Sequence, residues 1–531
     1  MGKGGVMNYG KHVQTKATPQ SEPVLGMNQV ENSAGGFVFA LDNWKRLDRF
    51  LILGSESGTY YVGEKELTQD NAKAALDCIK SDGLRVVNRV VEISESGRAP
   101  KNDPALFALA MCAGLGNAET KKAALEALPK VARIGTHLFH FVEYVEGFRG
   151  WGRGLRKAVS GWYNSKEVDD LAYQVVKYQQ RDGWSNRDLL RLSHPKTSEA
   201  NRNNLYKWIV GETDIGELPA LIVAVEQAKI AETAGQIVEL IIKYNLPREA
   251  IPTKWLNEIF VWDALLQNMP LTALIRNLGK MTSIELLKSM SKAVDVVVKK
   301  LTDKDYIKKS RLHPLAILIA LKQYQCGCGN KGKLAWNPVT KIVNALDSAF
   351  YLAFQNVEPT GKRIMLALDV SGSMLSGFGG TNVSCCEGAS AMALATAKSE
   401  SNYMITRFNE GVENIPMSPR QRLDDVLKYT RNINGGGTDC ALPMIYALDK
   451  RIEIDAFCVY TDCETWAGNI HPFQALQKYR QKMGINAKLV VIGMTSSGFT
   501  IANPKDAGMM DIVGFDSATP QIISDFIKQE E

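Results

Sequence analysis

Hydrophobic spacing changes once along this chain, and that change constrains its architecture more than any other feature. From about residue 70 to residue 354, apolar residues recur three and four apart, as in "NAKAALDCI", "DPALFALAMCAGL", "LPALIVAVEQAKIAETAGQIVELIIKY" and "HPLAILIALKQY". Each segment carries one apolar stripe along a helix face, which it cannot bury alone. After "NVEPTGKR" the pattern becomes short runs rich in Val and Ile: Ile364–Val370, Tyr403–Phe408, Ala456–Thr461 and Lys488–Met494. Runs this short and this apolar read as strands covered on both faces. Helical segments fall between them, at Glu387–Ser399, Leu423–Arg431, Ala441–Lys450 and Phe473–Met483.

Two domains follow. Many short helices, punctuated by Pro, Gly, Asn and Asp as in "SESGRAPKNDP" and "YNLPREAIP", predict helical pairs stacked as a solenoid; an irregular all-helical globule is the alternative. Alternation of strand and helix predicts a doubly wound α/β sheet, whose ligands bind at the carboxyl ends of the strands. "PTGK", Pro359–Lys362, marks the boundary, so residues 26–360 form the all-α domain, 361–531 the α/β domain, and the polar, Gly-rich residues 1–25 a loose tail. Two cores suit 531 residues, since single cores stop growing at about 250–300 residues. Nine cysteines, an odd count without a cleavable leader, point to a reducing, cytoplasmic setting. No stretch offers the roughly 18 apolar residues of a membrane span, so no membrane partner is expected.

"ALDVSGSM" places Asp369, Ser371 and Ser373 at alternate positions where the first predicted strand must turn into a loop. Alone, this is equally a Ser/Gly turn capping a helix. Two further pieces change the reading: "GGGTDC" supplies Thr438 beside Asp439, and "VYTDCET" puts Asp462 at the end of another strand. Carboxylates and hydroxyls on one rim of a sheet suit a hard divalent cation, Mg²⁺ first, with Mn²⁺ or Ca²⁺ also compatible. Neither the G-x-S-x-G of a nucleophile elbow nor the G-x-G-x-x-G of a dinucleotide site is present at these positions. The constellation resembles the metal-ion-dependent adhesion site of von Willebrand factor A domains. That resemblance implies Asp369, Ser371, Ser373, Thr438 and Asp462 as the metal-binding positions. It also implies an open coordination position taken by water or a partner's carboxylate, a docking point and not a catalytic centre.

Charge is distributed unevenly. Residues 361–531 carry 16 Lys+Arg against 19 Asp+Glu, which leaves 47 against 38 for residues 1–360. The excess is densest in residues 149–207, with 12 against 6. There the spacing predicts Lys177 and Arg181 on one helical face, Arg187 and Arg191 on the next helix, and His194 just past its end. Trp151, Trp162, Tyr163, Tyr173, Tyr178 and Trp184 are interleaved with these charges. Cations neutralise phosphates and flat rings stack on bases, so the mixture suits nucleic acid; a solvated helical face over packed aromatics has the same composition.

Longer stretches widen the resemblance. "NSAGGFVF", "LDRFLILGSESGTYY", "WGRGLRKAVSGWYN", "LLRLSH", "MPLTALIRNLGKMT", "RLHPLAILIAL", "AFYLAFQNVEPTGKR" and "GMTSSGFTIA" are similar to the Ro autoantigen family of ribonucleoproteins, in which a helical TROVE module precedes a von Willebrand A domain. The resemblance implies HEAT-like helical pairs closed into a ring, with the A domain helping closure. It implies a noncatalytic role in RNA quality control and decay, with Y RNAs on the outer surface and single-stranded ends of misfolded RNAs in a central hole. Lys177, Arg181 and His194 occupy the positions expected to contact Y RNA, and Arg153, Arg156 and Lys157 lie in the matched basic helix. An exoribonuclease such as polynucleotide phosphorylase is the implied protein partner, and a monomeric protein within a ribonucleoprotein the implied state. The competing expectation is a metal-dependent protein-interaction scaffold that binds no RNA. A nuclease lacks paired metal-binding carboxylates in the helical part. His137 and His140 lack the partners of a zinc signature. Cys326 and Cys328 in "CGCGNKGK" are too close together for a zinc knuckle, leaving a glycine-rich loop that brings Lys331 and Lys333 near RNA; Cys385 and Cys386 read as free thiols.

Overall fold

A computed structural model describes residues 17–213, 215–310, 312–329, 333–354, 359–378, 381, 383–431, 436–516 and 518–529. Residues 1–16 of the expected tail and Lys331 lie outside them. Helices follow one another from Asn43–Leu53 to Thr340–Leu352 and pack against near neighbours in the chain, consecutive as with Pro314–Cys326 on Thr340–Leu352 or one helix apart as with Asp103–Leu115 on Gly135–Phe148. Local signals set their ends. Asp42, Asn117 and Ser291 cap starts by accepting the amides of Lys45, Thr120 and Val294, while Ser185 with Asp188 and Thr233 with Gln236 form reciprocal capping boxes. Gly97, Gly211 and Gly327 end helices in the left-handed conformation that glycine adopts without strain.

In chain order the strands are β1 (Gln29–Glu31), β2 (Phe37–Ala40), β3 (Gln180–Arg181), β4 (Trp184–Ser185), β5 (Ile364–Asp369), β6 (Tyr403–Phe408), β7 (Val412–Asn414), β8 (Ala456–Thr461), β9 (Lys488–Gly493), β10 (Phe499–Thr500) and β11 (Met509–Val513). The main sheet runs β11-β9-β8-β5-β6-β7, parallel throughout except for the antiparallel edge strand β7. Its central strands β5, β8 and β9 are buried on both faces: in β5, Ile364, Leu366 and Leu368 share a core with the helix Cys385–Ser399, whereas Met365 and Ala367 join Pro472–Met483 on the opposite side. This is the doubly wound arrangement expected from the apolar runs.

The helical series closes on itself through the A domain. At its beginning, the buried Arg49 pairs with Asp511 of β11 at 2.6 Å, and Asn71 donates to Ser496 at 3.2 Å. Arg98 donates to the carbonyl of Val513 at 2.9 Å and pairs with Asp516 at 3.4 Å. At the other end, Phe350 and Phe354 lie 6.1 and 6.4 Å from the ring of Phe515. The two ends also touch directly, because His313, heading the helix Pro314–Cys326, donates from Nε2 to the carbonyl of Arg98 at 3.3 Å. The result is a mostly helical solenoid closed into a ring, with residues 511–516 as its clasp.

One expectation needs correction. Residues 17–25 do not form part of a loose tail: Gln20 is fully buried, Val24 is buried, and the Glu22 carbonyl accepts from His471 Nε2 at 2.8 Å. The segment continues into β1 and β2, and β2 pairs with β10 of the A domain. Polar composition hid this because the segment is held by hydrogen bonds made over 400 residues away.

Candidate metal rim and basic surface

Register explains the rim. β5 and β8 are neighbours, so Asp369 at the end of one and Asp462 just beyond the other emerge side by side. Asp369 Oδ1 accepts the amide of Ser371 at 2.9 Å, and its Oδ2 accepts the Thr461 hydroxyl at 2.6 Å. The Ser371 and Ser373 hydroxyl oxygens are 3.3 Å apart. Asp462 accepts the amide of Glu464 at 3.1 Å and the Ser373 hydroxyl. Thr438, whose carbonyl accepts the Thr465 hydroxyl at 3.1 Å, is buried like the other four.

Their electrostatics suit a cation. Burial, and then the charge of Asp462, pushes the Asp369 carboxyl up to about 7; burial raises Asp462 as well. Burial followed by Asp462 pushes Glu464 up to about 8. Among the described residues no three His, Cys, Asp or Glu side chains converge as a metal cluster. The set is therefore two carboxylates with three hydroxyls, a hard-oxygen group of the kind Mg²⁺ accepts while keeping waters or a partner's oxygen. The residues fit a divalent cation, which would neutralise two acids that burial alone leaves repelling each other.

Sequence reasoning missed what holds this rim together. Gln20 Nε2 donates to Asp439 Oδ1 at 2.7 Å and to the Ile470 carbonyl at 2.8 Å, while its Oε1 accepts the Thr465 hydroxyl. Asn32 Nδ2 donates to the carbonyls of Cys463 and Thr465 at 3.2 and 2.9 Å, and the Ala34 amide donates to Glu464 at 3.1 Å. A Cβ at Gly36 would sit 1.8 Å from the Thr465 carbonyl, so only glycine allows this approach. The N-terminal segment thus straps the loop after Asp462 to the loop bearing Thr438. Tyr61 stands nearby, its phenol pushed up to about 12 by burial and then by Asp462 and Glu464.

The basic candidates divide into separate groups. The helix Val168–Lys177 ends at Lys177, so Arg181 does not share its face. Asp182 and Gly183 take left-handed φ values of 53° and 81° and turn the chain into the β3–β4 hairpin, which carries Arg181 exposed beside Asp182 at 3.7 Å. Lys177 instead donates to the Tyr173 hydroxyl at 3.1 Å and lines a crevice with Tyr173, Arg248 and Asn277. Arg187 and Arg191 do share one face of Asn186–Ser193, and His194 caps that helix in the left-handed conformation. These three line a groove of about 580 Å³ with Lys196, Tyr206 and Lys207. Arg153, Arg156 and Lys157 are exposed on the helix Arg153–Asn164. Two of the interleaved aromatics, Trp162 and Tyr163, are fully buried and bonded to Ala132 and Asn186. They are core, as the packed-aromatics alternative required. His137 and His140 are held by Asn102 and by Asp103 with Asp182, and Cys385 and Cys386 are buried and in no disulfide.

A cavity of about 720 Å³, not singled out from the sequence, takes its walls from distant parts of the ring: Lys101, Arg248, Arg276, Lys280, Gln323 and, from the A domain, Thr381. Four of these six side chains are cationic, set around a largely apolar lining at three places far apart in the chain: Lys101 in a loop, Arg248 in a short turn, and Arg276 with Lys280 one turn apart on the helix Leu271–Ser283.

Comparison with known proteins agrees with this architecture. The TROVE domain family model matches residues 30–215 and 231–323, and the Ro60 vWA domain model matches residues 363–527. RNA-binding protein RO60 of Caenorhabditis elegans is 36% identical, covering 97% of this chain and 92% of that protein. Its namesake in Deinococcus radiodurans is 41% identical, covering 96% and 97%. A crystal structure of the Deinococcus radiodurans RO (RSR) protein superposes with a TM-score of 0.70 at 39% identity, over 92% of this chain and 99% of that one. With both domain models matched in order and relatives aligned nearly end to end, the chain belongs to the Ro family, a TROVE domain followed by a Ro60-type von Willebrand A domain.

Proposed function

We propose that this protein is a noncatalytic RNA-binding ring that takes single-stranded RNA ends into its interior and structured small RNAs of the Y type on its outer surface. The observation that carries the reading is the cavity lined by Lys101, Arg248, Arg276 and Lys280, to which opposite ends of the helical series contribute. Single-stranded ends expose both phosphates and bases, whereas the deep major groove of A-form RNA is closed to side chains, so a basic interior selects for loose ends. Such selection suits quality control and decay of misfolded RNA in the cytoplasm. The names of the two relatives, both RNA-binding protein RO60, support the same class. Lys177, Arg181, Arg187, Arg191 and His194, with Arg153, Arg156 and Lys157, offer cations for phosphate on separate outer faces.

The metal rim has a different role in this proposal. A Mg²⁺ held by Asp369, Ser371, Ser373, Thr438 and Asp462 would supply an electrophilic docking point for a carboxylate of a protein partner, an exoribonuclease such as polynucleotide phosphorylase being the class that decay requires. The chain's residues would hold and shield the ion; among the described residues, no helix is long and apolar enough to cross a membrane.

Gel shifts test the interior site. A hairpin with a single-stranded 3′ tail is expected to bind in a salt-sensitive way and its blunt counterpart weakly, and Arg276→Glu with Lys280→Glu is expected to abolish the difference. Equal binding of the two RNAs by the unaltered protein would sink the reading, and absence of any bound RNA after gentle lysis would favour a protein-interaction scaffold.

A further inference from the structure

Seven of the nine cysteines are buried; the two exposed ones, Cys326 and Cys328, are neighbours, their sulfurs 3.0 Å apart. We infer that they form an oxidisable dithiol, converted by a hydroperoxide into a reversible disulfide within the chain, beside the cavity that Gln323 and Gly329 line on either side of them in the sequence. The geometry is imposed by the backbone. Cys326 is the last residue of its helix, and Gly327 then adopts φ +73°, which reverses the chain and returns the Cys328 side chain toward Cys326. A Cβ at Gly327 would lie 2.8 Å from the Trp336 carbonyl, so this turn is reserved for glycine. The reversal is pinned from outside: the Trp336 amide donates to the Gly327 carbonyl and the Gly329 amide to the Leu334 carbonyl, each at 2.8 Å, and Cys328 bridges to Ala335. The sulfurs need to approach by only about 1 Å to bond.

The chemistry balances with a hydroperoxide as oxidant. One thiol, as thiolate, attacks the terminal peroxide oxygen; the O–O bond breaks, and the sulfur becomes a sulfenic acid as alcohol or water departs with the first proton. The second sulfur attacks the sulfenic sulfur and expels hydroxide, which takes the second proton as water. Two electrons pass from the two sulfurs to the peroxide, and an external dithiol reverses the change. The neighbouring thiol is what diverts the sulfenic acid from further oxidation. Position gives the pair a consequence. Gln323, Gly329, Leu334 and Trp336 line the cavity, so the bond would fix the segment at which its wall leaves the helix.

Thiol titration of the native protein with an aromatic disulfide reagent should find two fast-reacting groups, and none after treatment with one equivalent of hydrogen peroxide. Intact mass should then fall by two hydrogens, peptide mapping should place the link between Cys326 and Cys328, and dithiothreitol should restore both thiols. Cys326→Ser and Cys328→Ser should each leave one fast thiol and abolish the two-hydrogen loss while leaving the helical circular dichroism unchanged. Disulfide-linked dimers on a non-reducing gel, or conversion of both sulfurs to sulfinic acids with no link formed, would overturn the inference.

Discussion

The metal rim and the outer basic surface are built on opposite principles. The rim gathers five buried side chains from three loops and fastens them with partners from the far end of the chain: Gln20 reaches Asp439 across 419 positions. The basic surface consists of exposed side chains placed by their own helices and by one hairpin, with Arg187, Arg191 and His194 set by eight residues of helix and its cap. A buried, cross-tied site should fail cooperatively when one member is lost, because each donor is held by others. An exposed, dispersed surface should lose affinity in small and nearly independent steps.

The sharpest way to break this contrast is at the rim. Asp369→Asn should lower Mg²⁺ or Mn²⁺ affinity by at least about 100-fold, equivalent to roughly 2.7 kcal/mol. Calorimetry reads the affinity, and the rise in melting temperature on adding metal should vanish with it. A variant that keeps its metal-dependent stabilisation would show that the rim is not the ion's site.

Next in size is the ring closure that joins the two regions. His313 is buried, donates to the Arg98 carbonyl and accepts the Leu315 amide, so it is neutral in the fold. Burial pulls its pKa down to about 4, against opposing pulls from the charge of Asp516 and the hydrogen bond to Arg98. The unfolded chain, with an ordinary value near 6.5, binds the proton first. Stability from this residue is therefore fully present above about pH 6.5, is lost as pH falls, and is gone below about pH 4, a change of order 3 kcal/mol. Denaturant midpoints at pH 7.5, 5.5 and 4.5 should separate protein from His313→Gln, in which this term is absent; parallel profiles would remove His313 from the acid response.

How much of this was legible follows from the same contrast. Four of the six strands of the main sheet, β5, β6, β8 and β9, were readable to within a residue because burial leaves continuous apolar runs, and the carboxyl ends of β5 and β8 then located Asp369 and Asp462; the edge strands β7 and β11 were not anticipated. Ring closure was readable only through family resemblance, since Arg49, Arg98 and Phe515 carry no local pattern. The strap of residues 18–36 was illegible for the same reason: its bonds to residues 439–471 leave no periodicity. Arg181 was misread despite a visible signal, the Asp182-Gly183 pair, whose preference for a two-residue hairpin outranks continuation of the preceding helix. The cavity's cations come from three places far apart in the chain, Lys101, Arg248 and the pair Arg276 and Lys280 on one helix, so charge counting along the chain favoured residues 149–207 instead.

Gln20 offers a finer test, because it belongs to the rim's support and touches none of the five side chains proposed to hold the metal in the bonds it makes. Gln20→Ala leaves the buried Asp439 carboxylate without its side-chain donor and the Thr465 hydroxyl without its acceptor, a loss of about 1–3 kcal/mol. Part of that should appear as weaker metal binding, since Thr465 and its neighbours hold the loops carrying Thr438 and Asp462. Gln20→Glu keeps the acceptor for Thr465 but sets a second carboxylate against Asp439, and should be worse than alanine. Calorimetric metal titration beside a denaturation curve separates a support role from simple destabilisation: equal loss of stability with unchanged metal affinity would confine Gln20 to the fold.

The smallest effects belong to the outer surface. Arg153→Ala, Arg156→Ala and Lys157→Ala remove exposed cations from one helix with no change in its buried face, so folding should be indifferent within about 0.5 kcal/mol. If each neutralises one phosphate of a structured RNA, each substitution should weaken binding modestly and reduce the slope of log affinity against log salt by about one. The triple variant should then show the sum of the single effects. A triple variant that collapses far beyond that sum would place these three residues in a cooperative site like the rim, and one that binds with an unchanged salt slope would leave them as solvated charges.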